Sequence, residues 1–155
     1  MIVVIQRAKS ATVVADGELS GRIGEGLVLL VGVADTDNEN DAELLAAKIL
    51  KLRIFCDENG KMNRAVTEID GELMVISNFT LLANYKHGNR PEYMRAAPPA
   101  RANELYEYFV GLVRGNVKNT ATGVFGAHME ISMECDGPVT IVMDSEVLKK
   151  QKGAQ

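Results

Sequence analysis

Gly26-Leu27-Val28-Leu29-Leu30-Val31-Gly32-Val33 is an unbroken apolar run of strand length. A strand with one face in water alternates apolar and polar residues, whereas a strand buried on both faces loses that alternation. The run therefore asks for a sheet covered on both sides. Leu73-Met74-Val75-Ile76 reads as a second buried strand within 72–77. Residues 2–8 and 11–15 alternate as strands, and Asp16-Gly17 is a hairpin signal ahead of a strand through Leu19–Ile23. Ile54-Phe55-Cys56 is a short strand closed by the turn Asp57-Glu58-Asn59-Gly60. Residues 128–134 alternate again, and 139–143 form the final strand.

Two stretches carry helical periodicity instead. Asp37–Asp41 is polar and able to cap a helix over 42–50, whose apolar residues recur at the 3.6-residue period. Pro98 and Pro99 precede a second helix at about 100–114, with Leu105, Phe109, Leu112 and Val113 on one face. The pattern predicts one α/β domain over residues 1–155, with mixed, strand-rich sheet layers (barrel-like or a sandwich) and two main helices. There is no linker, repeat or low-complexity block.

A chain of 155 residues with 46% apolar and 25% charged residues has an ordinary composition for a soluble globular protein. Met1–Arg7 reads as a first strand and not as a signal peptide, and no apolar run approaches the ~20 residues that span a bilayer. Cys56 and Cys135 are too few for a disulfide framework. These features predict a cytoplasmic protein without a membrane partner. The formal net charge of −4 argues against broad nonspecific binding to nucleic acid. Two local basic groups stand out against it: Lys86, His87, Arg90, Arg95 and Arg101, and the C-terminal Lys149, Lys150 and Lys152. Each reads as solvated surface or as a phosphate contact.

Several chemistries find no support in the spacing. His87 and His128 are the only imidazoles, and neither has a sequence relation to Ser77 that suggests a triad. Two cysteines and two histidines lie scattered without zinc-ligand spacing, so no metal is expected. Gly21–Gly26 leads into a strand, not into a helix that would make a phosphate loop, and no cofactor is expected. Thr80 is a candidate nucleophile or a plain structural residue; with no base within 75–85, the better assignment is a supporting role in which its hydroxyl or nearby backbone N–H groups polarise a carbonyl. Phe79 reads as a core aromatic or a stacking surface. Gly137-Pro138 lies just before the last strand, where proline's missing N–H does least harm. The pair reads as a tight turn, or as a rigid element that presents carbonyl oxygens to an ammonium group.

Five stretches together add to this reading: Val4-Ile5-Gln6-Arg7-Ala8, Gly60-Lys61-Met62-Asn63, Ser77-Asn78-Phe79-Thr80-Leu81, Thr122-Gly123-Val124-Phe125-Gly126-Ala127-His128-Met129 and Pro138-Val139-Thr140. In their order and spacing they resemble the D-aminoacyl-tRNA deacylase family, over nearly the whole chain. The family's Ser-Gln-x-Thr-Leu motif has Asn78 at the Gln position, and its Asn-x-Gly-Pro-Val-Thr motif has Cys135 at the Asn position. The resemblance implies a homodimer that hydrolyses the ester of D-aminoacyl-tRNA, and of mischarged glycyl-tRNA, at the tRNA 3′ end. It implies Ser77, Asn78, Phe79 and Thr80 at the catalytic site, with Phe125, Met129, Gly137 and Pro138 binding substrate. Gly137 and Pro138 would reach into the neighbouring subunit's site, capture the α-amino group and reject L-substrates. Lys86, Arg90 and Arg95 would contact the tRNA. The competing reading is a non-catalytic RNA- or protein-binding module on the same fold.

Overall fold

The computed structural model describes residues 1–151. In chain order the strands are β1 (Ile2–Ala15), β2 (Glu18–Ile23), β3 (Gly26–Gly32), β4 (Phe55–Cys56), β5 (Met62–Arg64), β6 (Glu72–Ser77), β7 (Thr120–Thr122) and β8 (Met129–Asp144). The helices are α1 (Glu39–Leu50), α2 (Pro99–Val113) and α3 (Ser145–Gln151). The main sheet runs β2-β1-β3-β6-β7, with β8 also paired to β1, and β4 and β5 form a separate small ribbon.

The two apolar runs become parallel neighbours, with Leu27 opposite Leu73 and Leu30 opposite Ile76. Gly26 makes that pairing possible, because a Cβ there would lie 1.8 Å from the Glu72 carbonyl oxygen. Both faces of the pair are buried, as the missing alternation requires. Leu27, Leu29, Leu73 and Val75 join the core formed with α1 and α2. Val28, Met74 and Ile76 join a second core on the opposite face. Around that second core the sheet curls toward a barrel. Ser20 Oγ donates to Thr122 O (2.7 Å) and Asn119 Nδ2 to Arg22 O (3.2 Å), linking β2 to the β7 edge.

The helices form where the capping residues say they should. Asn38 Oδ1 accepts from Asn40 N (3.0 Å), while Asp41 Oδ2 accepts from Asn38 N (2.9 Å). These reciprocal bonds satisfy backbone groups that the first turn of α1 would otherwise leave open. Pro99 takes the first position of α2, where a missing N–H costs nothing. Leu105, Phe109 and Val113 are buried on α2 as predicted, Leu112 is half-buried, and Ala102, Tyr106 and Val110 complete the face.

Two strands run on where the sequence reading breaks them. Residues 2–8 and 11–15 are one strand, because β8 pairs along both halves. Lys9 lacks a ladder partner between Ala8, opposite Cys135, and Ser10, opposite Glu134. This bulge moves the buried side chains to the other face, so Val3 and Ile5 lie in the helix-side core and Ala11 and Val13 in the barrel interior. Likewise 128–134 and 139–143 are parts of the single strand β8, and Gly137-Pro138 lies inside it rather than at its start. Of the C-terminal lysines, Lys149 belongs to α3 and its ammonium contacts Asp41 (2.7 Å) and Glu146 (2.8 Å). The Lys150 side chain and Lys152 lie outside the described residues. Among the described residues, no helix is long and apolar enough to cross a membrane.

Candidate active site

β6 carries Ser77 to the rim of the sheet, opposite Val31, and Asn78 N extends the ladder by donating to Val31 O (2.8 Å). Asn78 then turns the chain into a single 3-10 turn, Phe79–Leu82. Its Oδ1 accepts from Thr80 N (3.2 Å) and also bonds the Thr80 hydroxyl. A backbone N–H can only donate, so the Asn78 atom facing it is the oxygen. The Thr80 hydroxyl must then give its own proton to that oxygen. Its remaining lone pairs can accept from a bound molecule, but it has no second proton with which to polarise a carbonyl. Asn78, one methylene shorter than glutamine, still reaches both groups.

Beyond this turn a cavity of about 880 Å³ opens. Ser77, Asn78, Phe79 and Thr80 line one wall, and Phe125, His128 and Met129 line another. Tyr93, Ala97, Pro98 and Ala102 contribute a third, with Leu30, Ile76 and Ile131 beneath. The structure thus unites six of the predicted site residues. Phe79 is 55% exposed and meets Tyr93 edge-on, with ring centroids 5.0 Å apart and planes at 75°. It is a surface of the cavity, not a core aromatic. Behind Phe125, Tyr106 donates to Val75 O (2.8 Å), and burial pushes its hydroxyl well above the usual tyrosine range. His128 shares the cavity with Ser77, yet among the described residues it has no side-chain hydrogen bond to Ser77 or Thr80. No group of three or more His, Cys, Asp or Glu side chains is arranged to hold a metal ion among the described residues.

Gly137 and Pro138 are not among the residues lining this cavity. Between Thr140, opposite Gln6, and Cys135, opposite Ala8, the four residues 136–139 face the single residue Arg7. They bulge from the ladder, with the Gly137–Pro138 peptide cis and Gly137 at φ +132°. Both residues are exposed. The bulge is held on each flank. Arg7 Nε donates to Asp136 O (3.2 Å), and Gln6 Nε2 donates to Val139 O (3.2 Å). Thr140 Oγ1 in turn donates to Gln6 Oε1 (2.5 Å). Cys135 takes part through its backbone and its side chain is exposed, so replacing asparagine there leaves the ladder intact.

Lys86, Arg90 and Arg95 are exposed on the segment that follows the 3-10 turn, next to Tyr93. Arg101 does not join them, because its guanidinium is paired with Glu39 (3.1 Å) and Glu104 (2.9 Å) on the helix side. Tyr93, His128, Gln6 and Arg7 are the residues that sequence reasoning left without a site role. The family model described as D-Tyr-tRNA(Tyr) deacylase matches residues 4–144.

The chain belongs to the D-Tyr-tRNA(Tyr) deacylase family.

Among curated deacylases of this family, the D-aminoacyl-tRNA deacylase of Thermosipho africanus is 48% identical over 146 residues, covering 94% of this chain and 98% of that protein. The one from Parabacteroides distasonis is 52% identical over 149 residues, with 94% and 98% covered. Among solved structures, one titled c-Myc DNA Unwinding Element Binding Protein superposes with a TM-score of 0.87 at 35% identity, covering 93% of this chain and 98% of that one. A probable eukaryotic D-amino acid tRNA deacylase shares the fold, with a TM-score of 0.78 at 15% identity and 92% and 98% covered. The deacylase family is one of enzymes, and the mixed, strand-rich, nearly closed sheet is its fold.

Proposed function

We propose that this chain hydrolyses the ester of D-aminoacyl-tRNA, releasing the D-amino acid and tRNA, in a site completed by a second copy of itself. Water forms the new bond to the acyl carbon, the ester C–O bond breaks, and the ribose oxygen takes up a proton. The ester is already activated and its neighbouring ribose hydroxyl can assist, so positioning supplies most of what is needed. The Thr80 lone pairs accept from the attacking water or the ribose hydroxyl, which orients it. Phe79 and Tyr93 offer ring faces to the terminal adenine, and Phe125 and Met129 bound the acyl end.

The observation that carries the two-chain reading is the separation of the Gly137-Pro138 bulge from its own chain's cavity. The bulge is exposed, stiffened on both flanks, and outside the cavity walls. In a symmetric dimer each bulge enters the other chain's cavity, where its carbonyls accept from the substrate ammonium. An L-side chain then meets the bulge backbone, whereas a D-side chain points away. Glycine has no side chain to reject, so glycyl-tRNA passes the filter in part. A cytoplasmic location, where charged tRNA is found, fits this role.

Deacylation of D-tyrosyl-, L-tyrosyl- and glycyl-tRNA by the purified protein tests the reading. Fast hydrolysis of the D-ester, sparing of the L-ester and intermediate loss of the glycyl ester are expected. Binding of tRNA without hydrolysis of any of them would establish the non-catalytic module instead.

A further inference from the structure

The two most exposed large apolar side chains of the described residues flank one small hairpin that contains the cavity residue Tyr93. Met94 is 84% exposed and Tyr85 is 80% exposed. Between them Asn84 and Glu92 face each other. Their backbones exchange bonds of 2.8 and 3.0 Å, and Asn84 Nδ2 donates to Glu92 Oε1 (2.6 Å). Each side chain also fixes the strand beyond itself, since Lys86 N donates to Asn84 Oδ1 (3.1 Å) and Met94 N to Glu92 Oε2 (2.8 Å). The Met94 and Asn84 bonds hold the Glu92 carboxyl below its usual range, so its charge is used inside the hairpin. The hairpin is therefore a built element, yet it leaves Tyr85 and Met94 in water. Tyr93, one residue past Glu92, lines the cavity beside Phe79.

Charge points the same way. Residues 79–98 contain Lys86, Arg90 and Arg95 against the single acid Glu92, in a chain whose formal net charge is −4. None of these three cations is in an ion pair among the described residues, whereas Arg101 and Lys149 are. An exposed aromatic among unpaired cations suits single-stranded RNA, whose bases stack and whose phosphates need positive partners. The deacylase reading supplies such a strand: a 3′ end whose last nucleoside enters the cavity must pass its mouth.

We infer that the 84–95 segment is a second subsite, outside the cavity, for the unpaired nucleotides that precede the terminal adenosine. Tyr85 stacks on a base, Met94 extends the apolar surface, and Lys86 and Arg90 meet the phosphates. This subsite rests on the deacylase reading for its substrate, and it makes the enzyme a reader of RNA as well as of an amino acid ester.

The test compares wild type, Tyr85→Ala and Tyr85→Phe on D-tyrosyl-tRNA and on the D-tyrosyl ester of adenosine alone. Tyr85→Ala should lower kcat/KM for the tRNA substrate by roughly 5- to 150-fold, the span of one lost stacking contact, while Tyr85→Phe holds it. The ratio of the two substrates should collapse accordingly, because the adenosine ester never reaches the hairpin. Equal loss on both esters, no loss on tRNA, or a changed oligomeric state in Tyr85→Ala would overturn the subsite. Anisotropy titration with a labelled tetranucleotide of the tRNA 3′ sequence separates the two readings. If wild type cleaves neither ester, the deacylase reading falls, and weaker tetranucleotide binding by Tyr85→Ala would still sustain the subsite; equal binding by both would end it.

Discussion

Arg7 grips Asp136 twice: its Nε lies 3.2 Å from both the backbone oxygen and the carboxylate of that residue. The same guanidinium donates from Nη1 to Ile54 O at 2.7 Å, so one buried side chain ties the bulge of β8 to the start of β4. A lysine there carries the charge but not the fork of donors. Arg7→Lys should lose about 1–3 kcal/mol of stability through the unmet carbonyls. It should lose D-tyrosyl-tRNA hydrolysis more severely than that. Urea unfolding alongside paired deacylation assays measures both, and an unchanged D-to-L ratio would detach Arg7 from the site.

Gly137 holds φ +132°, and a Cβ there would lie 2.6 Å from Val139 N and 2.8 Å from Val139 Cγ2. Gly137→Ala must therefore redirect the bulge, although the paired flanks of β8 keep the fold. The expected result is a protein with a native circular dichroism spectrum and D-hydrolysis reduced at least ~100-fold, in line with misplaced binding groups. Wild-type rates in the alanine variant would rule the bulge out of the chemistry.

Thr80 gives its proton to Asn78, and among the described residues no histidine or carboxylate accepts from it. Thr80→Ala should slow hydrolysis by about 10- to 100-fold, as for one lost orienting hydrogen bond, and leave activity well above background. Mass spectrometry of a quenched reaction should find no acyl group on Thr80. A trapped ester there would restore it as a covalent nucleophile.

Asp41 is buried, which by itself would raise its pKa, but bonds from Lys149, Ser145 and Asn38 prevail and hold the carboxyl below the usual range. Its folded pKa is thus lower than its unfolded one. The stability it provides is present above the unfolded value, near pH 4, and is lost as pH falls through the folded value. Thermal melting across this range should show Tm dropping toward acid in wild type. Asp41→Asn should cost about 1–3 kcal/mol at neutral pH and flatten that acid limb. Parallel acid limbs in the two proteins would contradict the assignment.

If each cavity needs the bulge of a second copy, specific activity should fall with dilution as the dimer dissociates. Sedimentation velocity and deacylation measured over the same concentration series should give one common midpoint. Full D-specific activity in a solution of monomers would exclude the shared site.

Much of this was legible in the sequence because local rules and packing agree. The unbroken runs at Gly26–Val33 and Leu73–Ile76 announced a sheet buried on both faces, and Asn38 and Pro99 sit where helix starts favour them. The five motifs located the Ser77–Thr80 turn and the cavity residues Phe125 and Met129. What escaped depends on pairing between distant residues. Arg7 reads as one more strand residue until β8 brings Asp136 beside it, 129 positions away. The unity of β8 was hidden for the same reason, since proline and glycine signal a break unless β1 pairs on both sides of them. Tyr93 lies outside the five motifs and His128 lies in one that gave it no role, and the short β7 is too brief to show alternation.

β1 pairs with β2 through its second half, with β3 through its first half, and with β8 along both. Its two halves face different cores across the Lys9 bulge. One covalent ribbon therefore borders both cores, which couples the unfolding of one to the other. The ladder-paired amides between Val3 and Val13 are expected to exchange only on global unfolding, so their exchange should report the stability of the whole molecule. The hairpin at Tyr85 lies outside both cores, so its amides should exchange by local opening without global unfolding.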